Sequence, residues 1–135
     1  MPEVRICLLK QADTDMTKIL LIEDDPMVRH ALGRVLSQRG YEVIEAEDGE
    51  KGLDLFRREC PDLVITDIIM PNKDGLETII EIRRDSPETK VVAISGGGYI
   101  KGEDYLGVAD RLGAAKTLVK PFGSRVLLDT VGGLL

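Results

Sequence analysis

The sequence predicts an α/β fold in which a parallel five-stranded sheet is covered by helices on both faces. Short apolar runs such as Ile19-Leu20-Leu21-Ile22 and Leu63-Val64-Ile65 stop abruptly at acids and turn residues, as strands buried on both faces do. Segments with apolar residues at three-and-four spacing lie between these runs, bounded by capping residues and glycines. Strand and helix patterns alternate with short connections throughout, and right-handed crossovers then place helices on each side of the sheet.

Residues 1–15 fall outside this pattern. Val4, Ile6 and Leu8 alternate with other residues, which allows an extra edge strand, but Met16-Thr17-Lys18 ahead of a strong strand is a more natural start. Residues 1–17 are therefore read as a flexible extension before a domain spanning 18–135. The first strand, Ile19 to Ile22, ends in Glu23-Asp24-Asp25-Pro26, where Asp25 can cap a helix with Pro26 at its first position. That helix carries Val28, Ala31, Leu32, Val35 and Leu36 on the face turned to the sheet and stops at Gly40. Tyr41 to Ala46 is a second strand. Asp48-Gly49 opens a helix with Leu53, Leu55 and Phe56 that runs to Cys60-Pro61. The third strand ends at Asp67, ahead of a turn at Asp74-Gly75 and a helix with Leu76, Ile79, Ile80 and Ile82. Lys90 to Ser95 is a fourth strand halted by Gly96-Gly97-Gly98, and a glycine-rich loop leads to a helix around Asp104 to Leu112. Ala115 to Val119 is the fifth strand, Lys120-Pro121-Phe122-Gly123 a loop, and Ser124 to about Val131 the last helix.

Composition narrows the function. A chain of 135 residues with 43% hydrophobic content supports one domain with a real core. The net charge of -6 argues against nucleic acid and anionic membrane surfaces as partners. No apolar run approaches the roughly 18 residues that span a bilayer, and no leader pattern is present, so a cytoplasmic protein is expected. Cys7 and Cys60 lack metal-site spacing and read as a small buried hydrophobe or a surface thiol; with His30 the only histidine, no zinc set forms.

The candidate chemistry lies at the strand ends. In a doubly wound sheet the carboxyl ends of strands one, three, four and five share an edge, which is where such sheets bind ligands. Glu23, Asp24, Asp67, Ser95 and Lys120 arrive there. Three carboxylates in close quarters repel by roughly 1–4 kcal/mol per pair, so cations must be present. Lys120 supplies one, and oxygen-only ligands suit Mg²⁺ rather than zinc. A carboxylate beside both is placed to attack a phosphoryl group, and Ser95 can donate to the new oxygens. Taken singly, each residue has a plainer role: Asp24 or Asp25 as a helix cap, Ser95 as a loop hydroxyl, Lys120 as a solvated amine. Their joint arrival at four strand ends is what argues for chemistry.

From about Lys18 to Leu135 the chain resembles the receiver domain of two-component response regulators, on the motifs ILLIEDDP, VITDIIMPNKDG, VVAISGG and LVKPF. The resemblance implies the flavodoxin-like strand order 2-1-3-4-5. It implies that Asp67 accepts a phosphoryl group from a sensor histidine kinase or phosphotransfer protein. It further implies that Glu23, Asp24, Asp67 and the backbone carbonyl of Ile69 hold Mg²⁺, that Ser95 reads the phosphoryl group, that Lys120 pairs with it, and that the peptide before Pro121 is cis. The switched surface would be the fourth helix, fifth strand and fifth helix, serving a separate downstream protein or a homodimer, because no output domain follows Leu135 unless the chain is a piece of a longer one. Self-phosphorylation and slow self-dephosphorylation would be its only chemistry.

Two departures stand out. The family's inward-swinging aromatic residue, three positions before its lysine, is here Thr117, which puts the usual aromatic switch in doubt, with Tyr99 or Tyr105 as candidate substitutes. The segment between Ser95 and Lys120 is also longer and richer in glycine. Three competing readings remain. A haloacid-dehalogenase-type phosphatase would need a second Asp where Ile69 stands. A nucleotide- or flavin-binding loop at Gly96-Gly97-Gly98 fails its GxGxxG pattern at Lys101. A degenerate receiver that only binds protein is opposed by the intact acids and lysine.

Overall fold

A computed structural model describes residues 16–70, 74–96 and 107–135. Five strands form one sheet: β1 (Lys18–Ile22), β2 (Glu42–Ala46), β3 (Leu63–Asp67), β4 (Lys90–Gly96) and β5 (Lys116–Lys120), in the order β2-β1-β3-β4-β5. All four pairings are parallel. The helices are α1 (Pro26–Gln38), α2 (Gly49–Glu59), α3 (Gly75–Asp85), α4, whose described part is residues 107–111, and α5 (Ser124–Leu134). The doubly wound sheet and its strand order match expectation. The expected extension lies outside the described residues up to residue 15.

Helix starts follow their capping chemistry. Asp25 accepts hydrogen bonds from the Met27 and Val28 amides at 2.9 and 3.4 Å with Pro26 at the first helical position. Asp48 caps α2 through the Lys51 amide and Asp74 caps α3 through the Glu77 amide. Gly40, at φ 102°, takes the left-handed turn that ends α1, a backbone state that costs a side-chain-bearing residue more.

Alternation along the strands splits the core into two layers. Leu20, Ile22, Val64, Val91 and Ala93 face α2, α3 and α4 through Leu53, Phe56, Ile79, Ile82 and Ala109. Ile19, Leu21, Leu63, Ile65, Val92 and Ile94 face α1 and α5 through Leu36, Leu127 and Val131. Every residue of β3 is buried, as a central parallel strand requires. Arg57 joins α2 to α3 with contacts of 3.3 Å to Glu81 and 3.2 Å to Asp85.

Some side chains depart from the periodic reading. Ile80 is 47% exposed and Ala31 is exposed, while Gly33 of α1 is buried. The covered face of each helix is thus narrower than its three-and-four stripe, and α1 comes close to Glu45 and Val43 of β2 at Gly33. β5 extends to Lys120, so the lysine is the last residue of a strand rather than part of a loop. Cys60, buried at a left-handed φ of 51°, is disulfide-bonded, so the unbridged reading of the cysteines is corrected for it. No helix among the described residues is long and apolar enough to cross a membrane.

The turn after β3 is held tightly. The Gly75 amide donates to the Ile68 carbonyl at 2.7 Å, and a Cβ on Gly75 would lie 2.1 Å from the Asp67 carbonyl oxygen and 2.6 Å from the Ile68 Cα. Because both obstacles are backbone, Gly75→Ala is expected to cost about 1–3 kcal/mol, read as a lower urea midpoint at unchanged slope.

Candidate functional site

The parallel register sets the site. Thr66 lies opposite Ile22, Asp67 opposite Ile94, and Ser95 and Gly96 opposite Val119 and Lys120. The chain therefore leaves β1, β3, β4 and β5 along a common edge, and the strand order reverses between β1 and β3, the kind of switch point at which such sheets bind ligands. Parallel pairing delivers residues distant in sequence to one place; Lys120 meets Glu23 across a separation of 97 residues.

Glu23, Asp24 and Asp67 converge there, with carboxylate oxygens that all lie within 4.8 Å of one another. Glu23 is 1% exposed and Asp67 6%, while Asp24 opens to solvent. Lys120 Nζ donates to Glu23 Oε1 at 2.7 Å and to Asp67 Oδ2 at 3.2 Å, so one ammonium serves two buried acids. The second oxygen of Glu23 accepts the Asp25 amide at 3.1 Å. Buried charges are tolerated when paired and hydrogen-bonded in this way.

The neighbours leave a signature on two titrations. Burial alone would lower the pKa of Lys120, but the hydrogen bond to Glu23 and the charges of Asp67 and Glu23 prevail and raise it. Its contribution to stability is thus complete below the ordinary lysine value of 10.5 and is lost as pH rises through the higher folded value. For Asp24 the partial burial of its carboxyl, then the hydrogen bond and charge of Glu23, raise the pKa against the pull of its own backbone amide and Lys120. The uncharged form is therefore favoured, and the associated stability fades as pH climbs from 3.8 through the folded value.

Ser95 is 1% exposed, and its hydroxyl is the buried side-chain polar atom without a hydrogen-bond partner among the described residues. Such a group is costly unless something fills its need. Three clustered carboxylate oxygens answer the requirements of a hard divalent cation, with neither sulfur nor imidazole in the group. The donor set fits Mg²⁺.

The structure brings together Glu23, Asp24, Asp67 and Lys120 as the sequence anticipated, and sets Ser95 at the end of the strand beside β3. Ile69, two residues beyond Asp67, turns its side chain to solvent at 57% exposure, so no second carboxylate stands where a dehalogenase-type site requires one. Thr117 is half-buried on β5 opposite Ala93. Tyr99 and Tyr105 lie outside the described residues. The peptide between Lys120 and Pro121 is cis. Sequence reasoning missed Arg29, whose guanidinium reaches back to the Glu23 carbonyl; its signal is that side chains in the first turns of a helix point toward the N-terminus.

Crowding of like charge has a measurable consequence. In the metal-free protein at pH 7, Asp24→Asn is expected to raise the Tm, each kcal/mol gained being worth about 4 °C for a chain of this size. The same change should shrink the further rise that Mg²⁺ produces in the unmodified protein. A lower Tm for the metal-free variant would contradict this account of the charges.

The model of the response regulator receiver domain family matches residues 19–132. Among curated relatives, the probable transcriptional regulator ycf27 of Guillardia theta is 40% identical over 123 residues, covering 87% of this chain and 45% of that protein. Protein PilH of Pseudomonas aeruginosa is 31% identical over 120 residues, covering 89% of this chain and 98% of the relative. The chain spans about half the length or less of most of the relatives it matches. Among solved structures, a receiver domain protein from Clostridium thermocellum is 30% identical with a TM-score of 0.82, covering 88% of this chain and 94% of that one. TrrA from Thermotoga maritima, in complex with Mg(2+)-BeF, is 35% identical with a TM-score of 0.79, covering 89% of this chain and 100% of its own. Matched over residues 19–132 by family model and over most of its length by fold, the chain belongs to the response regulator receiver domain family.

Proposed function

We propose that the chain is a phospho-accepting switch in which Asp67 takes a phosphoryl group from a sensor histidine kinase or a phosphotransfer protein. The observation that carries this reading is the arrangement of charge: three carboxylates crowd within 4.8 Å, and among the described residues a single ammonium, that of Lys120, touches two of them. Such a site stores an unmet demand for positive charge, which a divalent cation would meet. Glu23, Asp24, Asp67 and the backbone carbonyl of Ile69 would hold Mg²⁺. When bound, the ion neutralises the acids and the oxygens of the incoming phosphoryl group. That TrrA was crystallised with Mg(2+)-BeF supports the assignment.

In the transfer a carboxylate oxygen of Asp67 forms a bond to phosphorus while the bond from phosphorus to the donor breaks, and the donor leaves with the electron pair of that bond. Lys120, already at 3.2 Å from Asp67, offsets the spreading charge. The hydroxyl of Ser95 donates to a phosphoryl oxygen and so acquires a partner it lacks among the described residues. Phosphorylation adds about -1.5 to -2 charges and three acceptor oxygens, and Ser95 and Lys120 lie at the strand ends that lead toward α4 and α5. The bias this places on two conformations of α4, β5 and α5 is about 1–3 kcal/mol. Val119 on β5 and Val126 on α5, exposed at 49% and 46%, give that face apolar surface for a downstream protein or a second copy of the chain. Residues 18–135 form the receiver in this reading, preceded by an extension.

Incubation with Mg²⁺ and acetyl phosphate is expected to give a mass gain of one phosphoryl group, lost in base and on hydroxylamine treatment, and absent in Asp67→Asn. Lys120→Ala should reduce the yield or rate strongly while Mg²⁺ still binds. Failure of the unmodified protein to form the adduct would point to a degenerate binding module, and repeated turnover of phosphoesters without an adduct to a phosphatase.

A further inference from the structure

Arg29 is placed to act on the acidic cluster through the backbone. Its Nη1 donates to the carbonyl oxygen of Glu23 at 2.8 Å, and its Nε lies 3.3 Å from Glu45 Oε1 on β2. The same Glu45 oxygen is 3.0 Å from Nδ1 of His30, the next residue on α1. A slot in the helix makes room for this carboxylate, since a Cβ on Gly33 would lie 2.6 Å from Glu45 Oε2. The Arg29 side chain is 15% exposed, so its fork is held in a largely dry setting between helix and sheet edge. Arg29, His30, Gly33 and Glu45 lie outside both apolar layers and outside the acid group itself.

We propose that Arg29, anchored by Glu45 in the space that Gly33 leaves, is a positioning residue for the cation site. This rests on the Mg²⁺-binding role given to Glu23 and Asp24. Like charges at the end of β1 favour a splayed turn; clamping the Glu23 carbonyl to α1 and β2 denies the chain that relaxation, so the carboxylates stay gathered. The guanidinium is suited to this because its donors point in fixed, different directions, one to a carbonyl and one to a carboxylate, which a single ammonium cannot imitate. Groups that orient the ligands of a metal typically carry a factor of about 10–100 in affinity.

The sign of the effect separates positioning from plain electrostatics. Removing a positive charge near a cation site should tighten Mg²⁺ binding if charge alone mattered, whereas loss of the clamp should weaken it. Titration calorimetry of the whole chain with Mg²⁺ is expected to show a Kd raised about tenfold in Arg29→Met. Arg29→Lys, which keeps the charge and loses the fork, should also bind more weakly. Gly33→Ala preserves every charge and favours the helix, yet crowds Glu45, and should weaken Mg²⁺ binding by a smaller factor. Metal-free Tm values read alongside detect any general loss of stability. Arg29→Met binding Mg²⁺ as tightly as the unmodified protein, or more tightly, overturns the proposal. If that variant does not fold, unaltered binding in Gly33→Ala overturns it. An unmodified protein that binds no Mg²⁺ removes the cation reading and this inference with it, a result distinct from a bound ion indifferent to Arg29.

Discussion

Three carboxylates at the edge of a parallel sheet, with one lysine ammonium in contact with two of them, is the constraint on which the rest of the molecule depends. Glu23 and Asp67 are almost fully buried, and a buried charge without a partner is strongly destabilising. Lys120 answers both with contacts of 2.7 and 3.2 Å, and the Asp25 amide answers the remaining oxygen of Glu23. What is left over is a local excess of negative charge beside Asp24, whose pKa is raised first by partial burial and then by the hydrogen bond and charge of Glu23. Carboxylate oxygens gathered in this way could hold a small hard cation.

The sheet can carry this concentration of charge because it is rigid beneath it. β1 and β3 are buried between two apolar layers, with Ile19, Leu20, Leu21 and Ile22 all at 0% exposure. Close packing of that order keeps strand ends in register to fractions of an ångström. Just past β3, Ile68 and Met70 still belong to the apolar core, and Asp74 and Arg29 add hydrogen bonds to the Glu77 amide and the Glu23 carbonyl. The acids therefore sit on a rigid platform.

Much of this was legible in the chain itself. Apolar runs that end in Glu23-Asp24-Asp25, Asp67 and Ser95 located the strands and the acids, because parallel strands are buried on both faces and their polar residues appear only where they leave the sheet. Caps at Asp25, Asp48 and Asp74 were readable because capping depends on residues two or three apart. Ile80 and Ala31 were misjudged because a three-and-four stripe does not specify how wide the covered face is. The extension of β5 to Lys120 was also missed: pairing with β4, rather than the local sequence, sets where that strand stops.

By itself the sequence determined the class of fold, the order of its elements and the identity of the chemical groups, since hydrophobic period, caps and turn residues act over a few positions. Tertiary structure alone decided which groups touch. That Lys120 bridges Glu23 and Asp67, that Gly75 must be bare to pass the Asp67 carbonyl, and that Glu45 fits a slot at Gly33 to hold Arg29 are relations between residues far apart in the chain. Their distances follow from strand register and helix approach, and no local pattern encodes those separations.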